Sequence, residues 1–185
     1  MDLSNYKGFL DLFEKWNRSI NLSAASTRAE ISAHVEDSLH VVPHLRGLAS
    51  VLDVGSGGGF PVVIAAIALP EVQFVSLEPV HKKQAFLKTA ARELGLANLE
   101  ARAERIEDHE RRDYDAAMSR ATFDLKDWIA MGLARVRPGG IVLGFEAQTR
   151  ADLENVERDP YTLEGRPCPA SMASSSPAER PTCTW

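Results

Sequence analysis

Cysteine is scarce in this chain, and long apolar runs are missing. Two cysteines occur among 185 residues, Cys168 and Cys183, and no histidine or second cysteine pair lies near them. Neither a disulfide framework nor a zinc site is supported, so we expect no metal. No segment holds eighteen consecutive apolar residues, and the start, Met1-Asp2-Leu3-Ser4-Asn5, lacks the basic and apolar regions of a secretion signal. We therefore expect a cytoplasmic protein that makes no membrane contact.

An excess of positive charge is missing as well, since the formal net charge is −5 and the isoelectric point is about 5.6. This balance argues against a protein coated in phosphate contacts, although a local basic face is compatible with an acidic total. Apolar residues make up 44% of the chain and charged residues 25%, as in ordinary soluble proteins. The length predicts one domain with a proper core.

The first 45 residues have the pattern of helices. Apolar residues recur at helical spacing and give one apolar stripe, made of Tyr6, Phe9, Leu10, Phe13, Trp16 and Ile20. Thr27-Arg28-Ala29-Glu30 is a capping box, which predicts the start of a further helix. We expect this segment to form a helical cap.

The rest of the chain alternates between strand and helix patterns. Strands are predicted near residues 51–54, 73–77, 98–102, 114–118 and 141–145, and helices near 61–68, 80–94 and 124–136. Tyr161-Thr162-Leu163 is a candidate sixth strand, and Pro138-Gly139-Gly140 is a predicted turn. This alternation predicts an α/β protein with a parallel sheet and a ligand at the carboxyl ends of its strands.

The most informative motif is the turn after the first of these strands. The sequence Val51-Leu52-Asp53-Val54 is followed by Gly55, Gly57 and Gly59, and then by Phe60 and Pro61. Glycine permits positive φ and lets a ligand approach the backbone closely, so such turns bind nucleotide-type ligands. A dinucleotide fingerprint needs a third glycine where Phe60 stands, which makes a nicotinamide enzyme a distant alternative.

Two carboxylates narrow the choice of ligand. Asp53 lies beside the turn, where it repels phosphates and orients an ammonium group, directly or through water. Glu78 ends the next strand, where a carboxylate accepts both hydroxyls of a ribose. S-Adenosylmethionine carries an ammonium, a sulfonium and a ribose but no phosphate, and is therefore the predicted cofactor. The plain alternative is a glycine-rich turn without a ligand.

The chain from about Tyr6 to Leu163 also resembles a known family. The pieces that carry the likeness are Lys15-Trp16-Asn17, Ile20-Asn21-Leu22, His34-Val35-Glu36-Asp37-Ser38-Leu39, residues 52–61 around the glycine turn, Lys82-Lys83-x-x-Phe86-Leu87, Arg102-Ala103-Glu104 and Ser119-Arg120-Ala121. Together and in this order they resemble the bacterial ribosomal small-subunit methyltransferase G, also called glucose-inhibited division protein B. That family methylates N7 of a guanine in 16S ribosomal RNA.

The resemblance implies a Rossmann-like class I S-adenosylmethionine-dependent methyltransferase with a helical cap over 1–45 and a core over 46–164. Gly55 and Phe60 are expected to line the cofactor pocket with Gly57 and Asp53, while Glu78 binds the ribose. Ala103 and Glu104 are expected beside the adenine, and Arg120 at the mouth. Guanine N7 has a free lone pair and no proton to lose, so no catalytic base is expected. The expected partner is 16S ribosomal RNA or the small ribosomal subunit. The protein itself is expected to be a monomer.

Several of these residues have plainer interpretations. Phe60 is a candidate core residue, Glu104 a helix-start carboxylate, and Arg120 a surface ion-pair partner. Basic residues that are candidates for RNA contact, or for an ordinary solvated helix face, are Lys15, Arg18, Lys82, Lys83, Lys88 and Arg92. Polar residues expected to tie the cap to the core, or to touch RNA, are Asn17, Asn21, His34 and Asp37.

The end of the chain departs from the family. Relatives close with an apolar strand inserted antiparallel into the sheet, whereas this chain has Cys168-Pro169-Ala170-Ser171-Met172 and a Ser/Pro run. Proline cannot donate within a central strand, so the final antiparallel strand is expected to be missing or altered, and residues 165–185 to be irregular or disordered. Two other functions stay open: a methyltransferase acting on a small molecule or protein, and a remnant that has lost activity.

Overall fold

The computed structural model describes residues 3–120, 122–145, 162–163 and 182–184. A seven-stranded sheet has the order β3-β2-β1-β4-β5-β7-β6. Its strands are β1 Ser50–Val54, β2 Gln73–Leu77, β3 Leu99–Arg102, β4 Tyr114–Arg120, β5 Val136–Phe145, β6 Thr162–Leu163 and β7 Thr182–Thr184. The helices are α1 Leu3–Ile20, α2 Arg28–Leu39, α3 Val42–Leu45, α4 Val62–Ala68, α5 His81–Glu93 and α6 Leu125–Leu133, with a short 3₁₀ turn at Ile106–Asp108.

The central strands are parallel and buried on both faces. Every residue of β1 is buried, as are the last four of β2, because helices cover both sides of a sheet built from strand-helix-strand units. In register, Val54 lies opposite Leu77 and Ser119, and Leu77 lies opposite Arg102. The carboxyl ends of β1 to β4 therefore meet at one edge of the sheet, and the predicted α/β fold is confirmed.

The N-terminal helices pack onto one face of this sheet. The predicted capping box forms, since the Thr27 side chain accepts from Glu30 N–H and the Glu30 carboxylate accepts from Thr27 N–H. From α1, Phe9 and Phe13 are fully buried against Phe60 and Phe86, with ring centroids 5.2 to 6.2 Å apart. Burying such a side chain contributes about 1.5–3 kcal/mol, so the cap is continuous with the core.

The start of β5 differs from the prediction. We expected a helix to residue 136 and a separate turn at Pro138-Gly139-Gly140, but α6 ends at Leu133 and β5 begins at Val136. Val136 pairs with Tyr114 and Ile141 with Ala116, so residues 137–140 face only Asp115 on β4. The predicted turn is thus a bulge inside the strand, made possible by Gly139 at φ 75°.

Beyond β5 the described chain is limited to two short strands. The predicted sixth strand is present as β6, Thr162–Leu163, and β7 lies between it and β5. All strand pairs among the described residues are parallel, so no antiparallel closing strand occurs in this part of the chain. Within the predicted irregular tail of 165–185, only Thr182–Thr184 are described, and the rest of that prediction lies outside the described residues.

Candidate functional site

The glycine turn connects the buried end of β1 to α4. Gly55, Gly57 and Gly59 have φ values of 75°, 51° and 87°. A Cβ on Gly55 would lie 2.2 Å from Thr122 Oγ1, whereas one on Gly57 would have only the Gly55 carbonyl oxygen near it, at 3.8 Å. Gly55 is therefore held closely by the segment after β4, and Gly57 faces open space where a ligand has room to approach.

Glu78 fastens this turn to the end of β2. Its Oε2 accepts from Gly57 N–H at 2.8 Å, and its Oε1 accepts from Val80 N–H at 2.9 Å. The residue is 4% exposed. Each carboxylate oxygen has two lone pairs and uses one of them here, so each keeps a second for another donor. The sequence predicted a ribose acceptor at this position and did not predict the hydrogen bond to the turn.

Asp53 lies beneath the turn and is 1% exposed. Ser56 Oγ donates to its Oδ2, and Ser76 Oγ lies 2.6 Å from Ser56 Oγ. Since the Ser56 proton is used toward Asp53, Ser76 is the donor of that second bond. Burial raises the pKa of the Asp53 carboxyl to about 7, against the opposing effects of the Ser56 hydrogen bond and the Arg120 charge. Asp53 is thus joined to the turn through Ser56.

Phe60 lies below the turn and not in an open pocket. Its side chain is 3% exposed, and its ring contacts Phe9 edge-on at 5.2 Å and Phe13 at 5.3 Å. The His34 ring lies 5.4 Å from it, and the Arg120 guanidinium lies 5.1 Å from the ring centroid. The Phe60 ring is therefore part of the core, and the Phe60 backbone is part of the turn.

Arg120 joins the end of β4 to the cap. Its Nη1 donates to Asp37 Oδ2 on α2 at 3.2 Å, and both side chains are 20% exposed. Burial lowers the pKa of Arg120 and, together with the Arg120 charge, that of His34. Asp37 Oδ1 is buried without a hydrogen-bond partner among the described residues, which leaves Arg120 as the partner of this carboxylate. The tie expected between cap and core is present at Asp37.

Asn17 was expected to tie the cap to the core, but its described hydrogen bonds lie within the cap. Its side-chain amide donates to Ala25 O at 2.8 Å and accepts from Ser23 N–H at 3.0 Å, so it orders the connection between α1 and α2. Asn21 in the same connection adopts a positive φ of 52°. These two residues shape the cap where it approaches the glycine turn.

Ala103 and Glu104 follow β3 and open onto a groove between that strand and α5. Other residues that line it include His81, Gln84 and Lys88. Glu104 Oε1 lies 3.2 Å from His109 Nδ1, and His109 Nε2 lies 2.8 Å from the Tyr114 hydroxyl. A carboxylate accepts, so Nδ1 of His109 is the donor toward Glu104.

Sequence reasoning missed this chain of three residues. His109 is 2% exposed and lies in an irregular segment, where sequence spacing gives no indication of which side chains meet. The signal that was available, a lone histidine between two acidic stretches, does not distinguish a buried histidine from a surface one. The structure alone shows that His109 fixes the direction of the Glu104 carboxylate.

The structure brings all eight predicted site residues to the carboxyl edge of four adjacent strands. They lie at the ends of β1 (Asp53, Gly55, Gly57, Phe60), β2 (Glu78), β3 (Ala103, Glu104) and β4 (Arg120). No group of three potential metal ligands occurs among the described residues, and none of the described helices is both long and apolar enough for a bilayer. The edge offers carboxylate acceptors and an open glycine backbone, and it suits a ligand with donors and positive charge.

Solved structures share this fold. The O-methyltransferase from Bacillus cereus in complex with SAH aligns with a TM-score of 0.58 at 20% identity, covering 83% of this chain and 73% of that one. TomG from Streptomyces achromogenes, an O-methyltransferase in complex with SAM, aligns with a TM-score of 0.54 at 20% identity, covering 82% and 69%. The fold is that of the class I S-adenosylmethionine-dependent methyltransferases, as predicted.

Sequence comparison gives the family. The family model described as GidB, rRNA small subunit methyltransferase G, matches residues 2–175. Ribosomal RNA small subunit methyltransferase G of Aromatoleum aromaticum is 37% identical over 171 residues, covering 85% of this chain and 81% of that protein. Those of Geobacter sp. and Myxococcus xanthus are 36% and 39% identical, each covering 78% of this chain and 68% and 69% of their own lengths. The chain belongs to the rRNA small subunit methyltransferase G family and is a methyltransferase.

Proposed function

We propose that this chain transfers a methyl group from S-adenosylmethionine to N7 of a guanine in 16S ribosomal RNA. Family membership supports the reaction class and the RNA substrate. The observation that carries the proposal is the glycine turn at the end of β1, where Gly57 donates to Glu78 at the end of β2. Acceptors and an open backbone are thereby placed side by side, at the position where parallel α/β sheets bind ligands.

The residues of this edge fit S-adenosylmethionine. Gly55 and Gly57 give the backbone of the pocket, and the free lone pairs of Glu78 accept the two ribose hydroxyls. Ala103 and Glu104 flank the adenine. Glu78 beside the turn, and Asp53 beneath it in its ionised form, disfavour a pyrophosphate and favour a ligand with positive charge. The Phe60 backbone completes the turn, and Arg120 stands at the mouth.

The transfer needs orientation more than acid-base chemistry. When bound, the cofactor supplies an electrophilic methyl group on a positively charged sulfur. Guanine N7 donates its lone pair to that carbon as the carbon–sulfur bond breaks, so the sulfur becomes neutral and the base becomes cationic without release of a proton. The buried carboxylates favour positive charge at this edge of the sheet, and holding the two reactants in line accounts for the acceleration.

The RNA target must present its guanine away from a continuous helix. N7 lies in the major groove of paired RNA, which is deep and narrow, so an unpaired or exposed guanine is the target. We propose that a monomer acts on it in the cytoplasm, where ribosomal particles are found. We also propose that residues 1–164 form one methyltransferase domain, with the cap in 1–45, because Phe9 and Phe60 share one core.

The test is methyl transfer onto defined RNA. Purified protein is incubated with methyl-labelled cofactor and either small subunits that lack the modification or naked 16S RNA. The labelled RNA is then reduced with borohydride and cleaved with aniline, which breaks the chain at 7-methylguanosine. We expect label in 16S RNA and cleavage at one guanine. Label that ignores RNA and enters a small molecule or protein contradicts the proposal, and so does the absence of calorimetric heat with cofactor at high micromolar concentration.

A further inference from the structure

We propose that an exposed basic rim, made of Lys82, Lys83 and Arg105, binds the sugar-phosphate backbone of the RNA that enters the site. This inference rests on the proposed function and deepens it by assigning the surface that holds the substrate. It divides the basic residues of the sequence into those beside the site and those remote from it.

All three residues follow the ends of strands that build the site. Lys82 and Lys83 belong to the first turn of α5, a few residues after Glu78, and Arg105 follows Glu104 directly. Because β3, β2 and β1 are adjacent and parallel, their following residues stand in a row beside the glycine turn, with about 4.8 Å between neighbouring strands. Lys82 and Arg105 are exposed, and Lys83 is partly exposed.

The end of α1 lies beside the start of α5. A Cβ built at Gly8 would lie 3.1 Å from Leu94 Cδ2, and the Trp16 ring lies 5.7 Å from the Phe86 ring, so the two helices run antiparallel.

The chain just after α1 touches the glycine turn itself. A Cβ built at Gly58 would lie 3.4 Å from Leu22 Cβ. The cap therefore contacts the glycine turn next to the rim.

None of the three side chains has an ion pair or hydrogen bond within the described part of the chain. By contrast, Arg28, Arg102, Arg111 and Arg137 form ion pairs with described carboxylates. Lys82 and Lys83 also stand in the first turn of α5, which contains no acidic residue and where the helix dipole disfavours cations. Lys82 and Lys83 therefore contribute little to the stability of the fold. Their unpaired positive charges suit contact with the phosphates of an RNA backbone.

The position along α5 separates the rim from other basic residues. Arg92 lies about 13 Å further along the helix than Lys83, at the opposite edge of the sheet, and it pairs with Glu93. Arg46 is exposed at that edge too, shortly before β1. These two arginines offer a control pair with the same change of charge and no access to the crevice.

The test compares Lys82→Gln/Lys83→Gln with Arg46→Gln/Arg92→Gln in the full chain. Binding to a 16S RNA transcript is measured between 50 and 200 mM salt, conditions over which counterion release makes nucleic-acid affinity fall steeply. Loss of two phosphate contacts is expected to reduce the slope of log K against log salt by about 1.5 and to weaken binding several-fold at low salt. The control pair is expected to keep the wild-type slope.

Two further measurements separate the possible failures. Calorimetry with S-adenosylhomocysteine is expected to give wild-type affinity for both variants, which shows that the fold and the cofactor site are intact. Equal salt slopes for the rim variant and the wild type would contradict the proposed rim. An equal loss of RNA affinity in the control variant would also contradict it. A wild-type protein that binds the transcript with this slope but does not methylate it would refute the proposed function and leave the rim standing.

Discussion

Replacement of Gly55 by alanine tests the central feature of the site, the turn that ends β1. Gly55 has a φ of 75°, and its missing Cβ would lie 2.2 Å from Oγ1 and 2.5 Å from Cγ2 of Thr122. Two separate costs therefore act on Gly55→Ala: strain in a left-handed backbone and overlap with a short, branched side chain. Gly47 has nearly the same φ, 83°, but a Cβ there would have nothing within 4 Å. Gly47→Ala thus measures the strain without the overlap.

The two costs have different magnitudes. A left-handed residue with a Cβ costs roughly 1–2 kcal/mol, and replacing glycine regains about 0.4–1 kcal/mol by restricting the unfolded chain. Gly47→Ala is therefore expected to lower the free energy of unfolding by about 1 kcal/mol. Overpacking adds about 1–3 kcal/mol, so Gly55→Ala is expected to cost about 2–4 kcal/mol. Removing the overlapping atoms in Gly55→Ala/Thr122→Gly is expected to recover the overpacking part.

Urea unfolding of the four proteins measures these differences, and calorimetry with S-adenosylhomocysteine measures the effect on the site. Affinity is expected to fall at least about tenfold for Gly55→Ala, which corresponds to about 1.4 kcal/mol of binding free energy, and to stay at the wild-type value for Gly47→Ala. The reasoning is refuted if the two single variants lose equal stability, or if Gly55→Ala binds as tightly as the wild type.

The remaining predictions concern buried charge. The Asp53 carboxyl has a pKa of about 7 in the folded chain and about 4 in the unfolded chain, so the folded state binds the extra proton and the free energy of unfolding falls as pH rises between these values, by about 4 kcal/mol in total. Asp53→Asn is expected to lack this decline in urea unfolding between pH 5 and pH 8, and an unchanged slope contradicts the burial argument. Arg120→Ala is expected to lower the free energy of unfolding by about 1–3 kcal/mol, because it leaves the Asp37 carboxylate half-buried without its partner. Arg120→Ala/Asp37→Asn is expected to be less destabilised than the sum of the single changes, and strict additivity contradicts the pairing.

The order of elements was predictable because each depends on local pattern. The five central strands and the helices between them were located within a few residues, and the capping box at Thr27 fixed the start of α2. The start of β5 was predicted wrongly, because Pro138-Gly139-Gly140 is typical of both a turn and a bulge. Pairing with β4 decides between the two, and a pairing partner does not appear in the local sequence.

The positions of the site residues were predictable, but their partners were not. Strand ends in a parallel sheet converge, so the proximity of Gly55, Glu78 and Arg120 follows from the alternation of strands and helices alone. That Arg120 pairs with Asp37, 83 residues away, depends on how the cap docks, which no motif encodes. The buried His109 is a similar case, since its partners are set by the path of an irregular segment.

The contacts of Arg120 bear on how the cap contributes to the site. One carboxylate from α2, Asp37, holds the guanidinium that stands 5.1 Å from the Phe60 ring, and that ring also packs on α1. The glycine turn is thus supported from below by aromatic side chains of the cap and fastened from the side by Glu78 of the core. Because Phe9 of α1 packs under the turn and Asp37 of α2 pairs with Arg120, docking of the cap is expected to position both the turn and this arginine. A weakened cap contact is therefore expected to change cofactor affinity even where the altered residue touches no ligand.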